Sequence, residues 1–333
     1  MTDTRRAPAV WSRRAALAGL AAAGCATPPT LVNLVQAPAP APDGEVLETA
    51  FDPASRMTAP VRLDGAGPFP FVVDTGANVS VASLELADRL GLPRLGEAPV
   101  HGVAGVQNAP ISRVGRLEVG QVSTSVPRLP LLPRGTLGVD GLLGMDILRG
   151  RRLLMDFRRQ RIEITRSPST SAAMSRSTER RDAMNPRFRV PARMRFGQLI
   201  IVDAEIAGVK LTAFIDTGSQ TTIGNPALRQ AVLRGRPEIA AGLMRAVLLS
   251  ATGQRAVGEL APVPPIRLGG LLIGDVTVAF ADLHIFDLWD LRTRPAILVG
   301  MDILRHFNRV EIDYGQRAVT FMPPPQSIVR SLR

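Results

Sequence analysis

The sequence predicts an all-β protein built as two similar β-rich lobes with short helices, and three observations predict it. Short runs rich in Val, Ile, Leu and Phe are punctuated by Gly, Pro and Asn, as at Phe71–Val73, Leu199–Val202 and Ala213–Ile215. Helical periodicity is confined to brief pieces, Ser83–Leu90 and Pro226–Leu233 among them. The order of features in the first half of the chain also recurs in the second. With 333 residues and 45% hydrophobic side chains there is material for two domains, and at 4% aromatic their cores must be mostly aliphatic.

From the N-terminus, Ser12-Arg13-Arg14-Ala15-Ala16-Leu17 opens an Ala-rich apolar run that continues to Ala23. Paired arginines before a short apolar run read as an export signal, here over residues 1–26. The Ser-Arg-Arg-x-x-Leu spacing resembles a twin-arginine signal, which implies a bacterium and a folded protein exported to the periplasm. The apolar run is too short to span a bilayer. Small residues permit cleavage after Ala26, while Ala22-Ala23-Gly24-Cys25 resembles a lipoprotein box that lacks its usual leucine. The second reading leaves a lipid anchor at Cys25 as an alternative. Residues 27–44, with Ala37-Pro38-Ala39-Pro40-Ala41-Pro42, form an extended tether.

The repeat then begins. In residues 45–165, Pro70-Phe71-Val72-Val73 runs into Asp74-Thr75-Gly76-Ala77-Asn78, and later comes Leu142-Leu143-Gly144-Met145-Asp146-Ile147-Leu148. In residues 189–325, Thr212-Ala213-Phe214-Ile215 runs into Asp216-Thr217-Gly218-Ser219-Gln220, and later comes Leu298-Val299-Gly300-Met301-Asp302-Ile303-Leu304. Each half closes on a hairpin, Leu153 to Ile164 and Val310 to Phe321. Between them, residues 166–188 are rich in Ser, Thr and Arg and read as an exposed linker; residues 326–333 are a tail.

Composition narrows the chemistry. The net charge is +11 and Lys210 is the only lysine, so the positive charge is almost entirely arginine scattered along the chain. No aromatic residues interleave with it, which argues against a nucleic-acid groove. Cys25 is the single cysteine, and His101, His284 and His306 have no ligand spacing. Neither a metal site nor a cofactor is expected.

Two copies of Asp-Thr-Gly, each after a branched apolar strand and each followed by the same second motif, resemble the pepsin and retropepsin superfamily of aspartic peptidases. The resemblance covers about Glu45 to Phe321. It implies two homologous retropepsin-like β-barrel lobes related by a pseudo-two-fold axis, with the active site between them. It also implies Asp74 and Asp216 as the catalytic pair, sharing one proton because two close carboxylates do not both ionise easily. That splitting of a carboxyl pair is already well known for aspartic proteases and is carried over with the resemblance. The ionised member would act as general base on a water and the protonated one would donate to the peptide carbonyl. Gly76 and Gly218 let the loops approach, Thr75 and Thr217 bond across to the opposite loop, and Gly144 and Gly300 hold the loops in register.

Finer expectations follow. Glycine-containing hairpins with Gly102, Gly105 and Gly253 are the flap candidates, although surface hairpins carry the same pattern. The only tyrosine, Tyr314, lies in the final hairpin and cannot serve as a pepsin-type flap tyrosine. The Ser219 hydroxyl is expected to back Asp216 and make it the more acidic member, since Ala77 stands in its place beside Asp74. Asp146 and Asp302 read as helix N-caps, His101 as a lone surface histidine, Trp289 as core, and Arg149–Arg152 and Arg158–Arg161 as solvated surface. The expected substrate is a peptide or unfolded protein, cut by a monomer whose lobes pair intramolecularly across the linker. A catalytically silent peptide-binding module of the same fold is the alternative.

Overall fold

The computed structural model describes residues 30–32, 47–167 and 186–324. The expected signal segment, Cys25, the centre of the linker and the tail lie outside these residues. Its strands up to the linker are β1 (Thr30–Val32), β2 (Leu47–Glu48), β3 (Thr58–Leu63), β4 (Ala66–Val73), β5 (Val81–Ser83), β6 (Glu97–Gly102), β7 (Gly105–Val119), β8 (Val122–Leu132), β9 (Gly141–Leu143), β10 (Arg151–Asp156) and β11 (Arg161–Arg166). Beyond it come β12 (Phe188–Arg195), β13 (Gln198–Ile206), β14 (Val209–Ile215), β15 (Ile223–Gly224), β16 (Met244–Leu249), β17 (Arg255–Val263), β18 (Ile266–Leu268), β19 (Leu271–Ile273), β20 (Val276–Ala281), β21 (Ala296–Val299), β22 (Arg309–Asp313) and β23 (Ala318–Met322). The helices are short: α1 (Leu84–Arg89), α2 (Arg134–Leu137), α3 (Met145–Leu148), α4 (Pro226–Leu233), α5 (Pro237–Ala241), α6 (His284–Leu288) and α7 (Met301–Leu304).

Six strands close into a barrel in the order β3-β4-β9-β5-β8-β7, with β7 returning to β3 through Arg62↔Glu118 and Leu63↔Leu117. β6 extends beyond it as the outer arm of a hairpin with β7. The second half repeats the central connections. β4 lies parallel to β9 (Val72↔Leu142) as β14 lies parallel to β21 (Phe214↔Leu298). β5 then inserts antiparallel to β9, and β15 antiparallel to β21. The sequence repeat is therefore a repeat of strand order, and its two Asp-Thr-Gly segments leave equivalent strand ends.

The two helices predicted by periodicity are α1 and α4, and their starts follow from their caps. Leu86 N donates to Ser83 Oγ at 3.1 Å, and Leu228 N to Asn225 Oδ1 at 2.8 Å, with Pro226 in the first turn where its missing N–H costs nothing. Within the stretch read as a tether, Thr30–Val32 pairs parallel to Leu271–Ile273.

Strands from both halves join in one antiparallel sheet, β2-β11-β10-β22-β23-β12. Leu153 pairs with Ile312 at its centre, and Arg309 Nε donates to Asp156 Oδ2 at 2.7 Å across the seam. This corrects the reading of the arginine-rich hairpin as plain solvated surface. Arg152 has a side chain only 20% exposed and lies 3.9 Å from Glu311 of the other half. The core is mostly aliphatic, as the composition requires, and one large cluster runs from Met57 to Phe321 through both lobes. Tyr314 is buried within it.

Candidate active site

β4 and β14 end on buried apolar residues, Val73 and Ile215, and each chain then turns through Asp-Thr-Gly. The two turns are held by equivalent bonds. Asp74 N donates to Leu143 O at 2.9 Å and Asp216 N to Val299 O at 3.0 Å, tying each loop to the strand that precedes the second motif. Met145 N donates to Ala77 O, and Met301 N to Ser219 O, closing the far side. Gly144 and Gly300 pass so close to the loops that a Cβ would lie 2.5 Å from Val79 C in one half and 2.7 Å from Thr221 C in the other.

The loops interlock through their threonines. Thr75 Oγ1 donates to Ile215 O at 2.7 Å and accepts from Thr217 N at 3.1 Å. Thr217 Oγ1 donates to Val73 O at 2.6 Å and accepts from Thr75 N at 3.0 Å. Both residues are buried, so each hydroxyl satisfies backbone groups that have no access to water.

This clasp puts the carboxylates face to face with the opposite glycines. A Cβ on Gly76 would lie 2.7 Å from Asp216 Oδ1, and one on Gly218 would overlap the Asp74 carboxylate. A Gly218→Ala variant is therefore expected to displace Asp74 and separate the lobes. The measurement is thermal unfolding, with a fall of several degrees, corresponding to about 2 kcal/mol.

The two carboxylates are received alike. Asp74 Oδ1 accepts from Gly76 N at 2.8 Å and Ala77 N at 3.0 Å, and Asp216 Oδ1 from Gly218 N at 3.0 Å and Ser219 N at 3.2 Å. The Ser219 hydroxyl does not take part, since it donates to Thr221 O at 2.8 Å. The expected ranking of the pair is thereby corrected. Burial pushes the Asp74 carboxyl above its ordinary value. Burial, and then the Asp74 charge, push Asp216 up to about 7. Asp216 is the more buried of the two and so the better home for a shared proton.

Asp146 and Asp302 lie away from this pair and are not N-caps; Gly144 and Gly300 occupy those positions. Asp146 accepts from Ser80 N and Oγ, and the same Ser80 Oγ accepts from Gly144 N at 3.0 Å. Asp302, Thr222 and Gly300 repeat the arrangement. These carboxylates fasten the second motif to the loop, a structural use that needs a serine or threonine many residues away.

The flap candidates meet each other. Gly102 sits against Ser250 and Thr252, a Cβ on Gly105 would lie 3.4 Å from the Gln254 side chain, and Gln254 Nε2 donates to Val106 O. Gly253, at the tip of the second hairpin, rests on Thr136 of the first lobe. Val103 and Ala104 pack on a cluster of the second lobe that includes Phe214 and Trp289, while Ala251 packs on a cluster of the first that includes Val72 and Leu142. Trp289 is core, as expected, and stacks on Phe214 at 4.4 Å. His101 is not alone: its Nδ1 lies 3.0 Å from Nε2 of His284, beside the bond from Ile285 N to Val103 O. That pairing spans 183 positions, and nothing in the sequence signals it. Another unforeseen residue is Gln198, whose Nε2 donates to Gly76 O and Asn78 Oδ1 and steadies the first loop. Among the described residues no group of three or more His, Cys, Asp or Glu could hold a metal ion.

A family model described as aspartyl protease matches residues 59–147 and 202–303, one stretch in each lobe. No curated protein matches the chain. Among solved structures it is similar to a retropepsin-like aspartic protease from Rickettsia conorii, at 19% identity and a TM-score of 0.28, covering 42% of this chain and 92% of that one. It is also similar to conglutin gamma of lupine seeds (12% identity, TM-score 0.40, 83% of this chain and 94% of that one). Basic 7S globulin from soybean is a further neighbour (11% identity, TM-score 0.36, 86% of this chain and 99% of that one). With the family model matching more than half of its residues, including both Asp-Thr-Gly loops, the chain belongs to the aspartyl protease family.

Proposed function

We propose that the protein is an aspartic endopeptidase that hydrolyses peptide bonds of extended or unfolded polypeptides with a water activated between Asp74 and Asp216. The observation that carries this reading is the clasp itself. Two carboxyl groups, Asp216 buried and Asp74 partly so, are pressed against opposite glycines and each is fixed by two N–H groups through one oxygen, so the second oxygen stays available for chemistry. Burying two carboxylates together is unfavourable unless one proton is retained, and that proton is what the reaction uses. Asp216 carries it and Asp74 is ionised. Asp74 takes a proton from water as the oxygen attacks the carbonyl carbon, and Asp216 gives its proton to the carbonyl oxygen. As the tetrahedral species collapses, Asp74 passes the proton it took from water to the departing amine nitrogen and Asp216 recovers one from a hydroxyl of the gem-diol, so the acid and amine products leave and the pair again shares one proton.

The hairpins at Gly102–Gly105 and Gly253 act as paired flaps in this scheme, and they part to admit a strand-like substrate and close to exclude water. The front of the chain fits an exported, periplasmic enzyme.

The test is to incubate the protein with a denatured protein between pH 3 and 7, with and without a statine-type transition-state analogue. Cleavage that the analogue suppresses, and that is lost in Asp74→Asn, is the expected result. Intact substrate throughout, with the substrate still bound, would replace this reading by the silent binding module.

A further inference from the structure

Among the described residues β16 forms a sheet edge with neither a bulge nor a proline to blunt it. β16 is the terminal strand of its sheet, and among the described residues no strand pairs with its outer side. Its ladder with β17 runs from Met244↔Leu260 to Leu249↔Arg255 without a bulge, and it contains no proline. Edge strands in folded proteins are normally blunted by bulges, prolines or charged side chains, because their free N–H and C=O groups recruit other strands. Here the outward face instead presents Val247 at 67% exposure, Leu249 at 63% and Val257 at 60%, with Val247 and Val257 directly opposite each other. Arg245 stands at one end of this apolar centre, opposite Glu259, whose carboxylate Arg229 holds at 2.6 Å so that the end keeps a net positive charge, and Arg255 is opposite Leu249 at the other. The outer side thus offers a row of backbone hydrogen-bonding groups, an apolar middle and a basic group at each end.

We propose that the outer edge of β16 docks an extended segment of unfolded polypeptide that carries apolar side chains at alternate positions and acidic residues at its flanks. A free strand edge is satisfied by another strand, and alternation of side chains is what a pleated strand presents to its neighbour. The arginines select acidic flanks by charge complementarity. A lipid surface would meet the apolar face but leave the backbone edge unpaired. A second copy would bring like charge to like in a chain with a net charge of +11. The hairpin of β16 and β17 ends in the Ser250–Gln254 turn that reaches the first lobe, so a segment held here lies next to the proposed cleft. The site would favour long, unfolded substrates over short peptides. This substrate preference rests on the endopeptidase reading, whereas docking itself does not.

The experiment uses the full-length Asp74→Asn protein and a fluorescent unstructured peptide with alternating Val and Thr flanked by Glu. Fluorescence anisotropy should show binding that Val247→Thr with Val257→Thr weakens about tenfold, and Arg255→Glu should shift preference towards a Lys-flanked control. Threonine keeps the strand propensity and shape, so the fold is preserved. In the active protein the Val variants, which sit in the arms of the second flap hairpin, should lower kcat/KM for a long substrate carrying the segment by a larger factor than for a short peptide. Equal binding by all variants would overturn the proposal. So would binding to phosphatidylglycerol vesicles without peptide binding, or a doubled mass in light scattering that the Val variants abolish. If the unsubstituted protein does not cleave the short peptide, the endopeptidase reading fails while the anisotropy still decides the docking.

Discussion

Replacing Asp216 by Asn is expected to abolish cleavage and yet make the protein more stable at neutral pH. The shape of the side chain and its acceptor oxygen are kept, so Gly218 N and Ser219 N retain their partner. The proton donor is lost, and cleavage should fall by about 10³-fold or more. Stability moves the other way. In the folded protein Asp216 holds its proton up to about pH 7, against an ordinary value of 3.8. Between those values the native state binds more protons than the unfolded chain, so the stability of the parent falls as pH rises through that window. Below it both states are protonated and the penalty vanishes. The Asn variant lacks the Asp216 contribution, whereas the one that Asp74 makes is common to both proteins. Urea unfolding should therefore show the two proteins alike near pH 4 and the variant ahead by about 2–4 kcal/mol at pH 8. If the protein is the proposed endopeptidase, the same proton should set the alkaline limb of its pH–rate profile, with activity declining as pH rises through about 7.

The second large effect is expected from Thr217→Val. Valine fills the same space but cannot donate to Val73 O or accept from Thr75 N, and both groups are closed off from water beside a residue 1% exposed. Orphaning a buried donor and a buried acceptor costs about 1–3 kcal/mol each, so a loss of about 3–4 kcal/mol is expected in chemical denaturation. Loss of the clasp also lets the carboxylates drift apart. Asp74 and Asp216 should then titrate nearer to ordinary carboxylates, a change that carbon-13 labelling of the two side chains would record.

What can be read from the sequence divides along a physical line. The two Asp-Thr-Gly loops and the apolar-Gly-Met-Asp-Ile-Leu elements are legible because each is short, local and repeated. The strand class follows from branched apolar runs, and α1 and α4 from their caps and periodicity. The misreadings turn on choices that only the folded chain makes. Sequence assigns Ser219 to Asp216, but its hydroxyl finds Thr221 O two residues on, a choice made by the turn's geometry. Sequence assigns Asp302 to the cap of its own helix, but it is claimed by Thr222, 80 positions earlier. The burial of Arg152 depends on Glu311 and a strand from the other half. None of these pairings leaves a local pattern, since side-chain direction is set only once the lobes are joined.

The antiparallel seam between β10 and β22 also bears on when the site can come into being. A ribosome delivers Asp74 and Asp216 long before Arg309–Asp313, the strand that zips the two halves together. Until that last stretch emerges, β10 has no neighbour on one side, and the arginine that answers Asp156 has not yet been made. The sheet that joins the two halves is thus completed only when residues 309–322 have been made. A nascent chain that stops short of them lacks the pairing of Leu153 with Ile312 across the lobes. If the pair cuts polypeptide as proposed, the joint between its two halves is among the last parts of the frame to form.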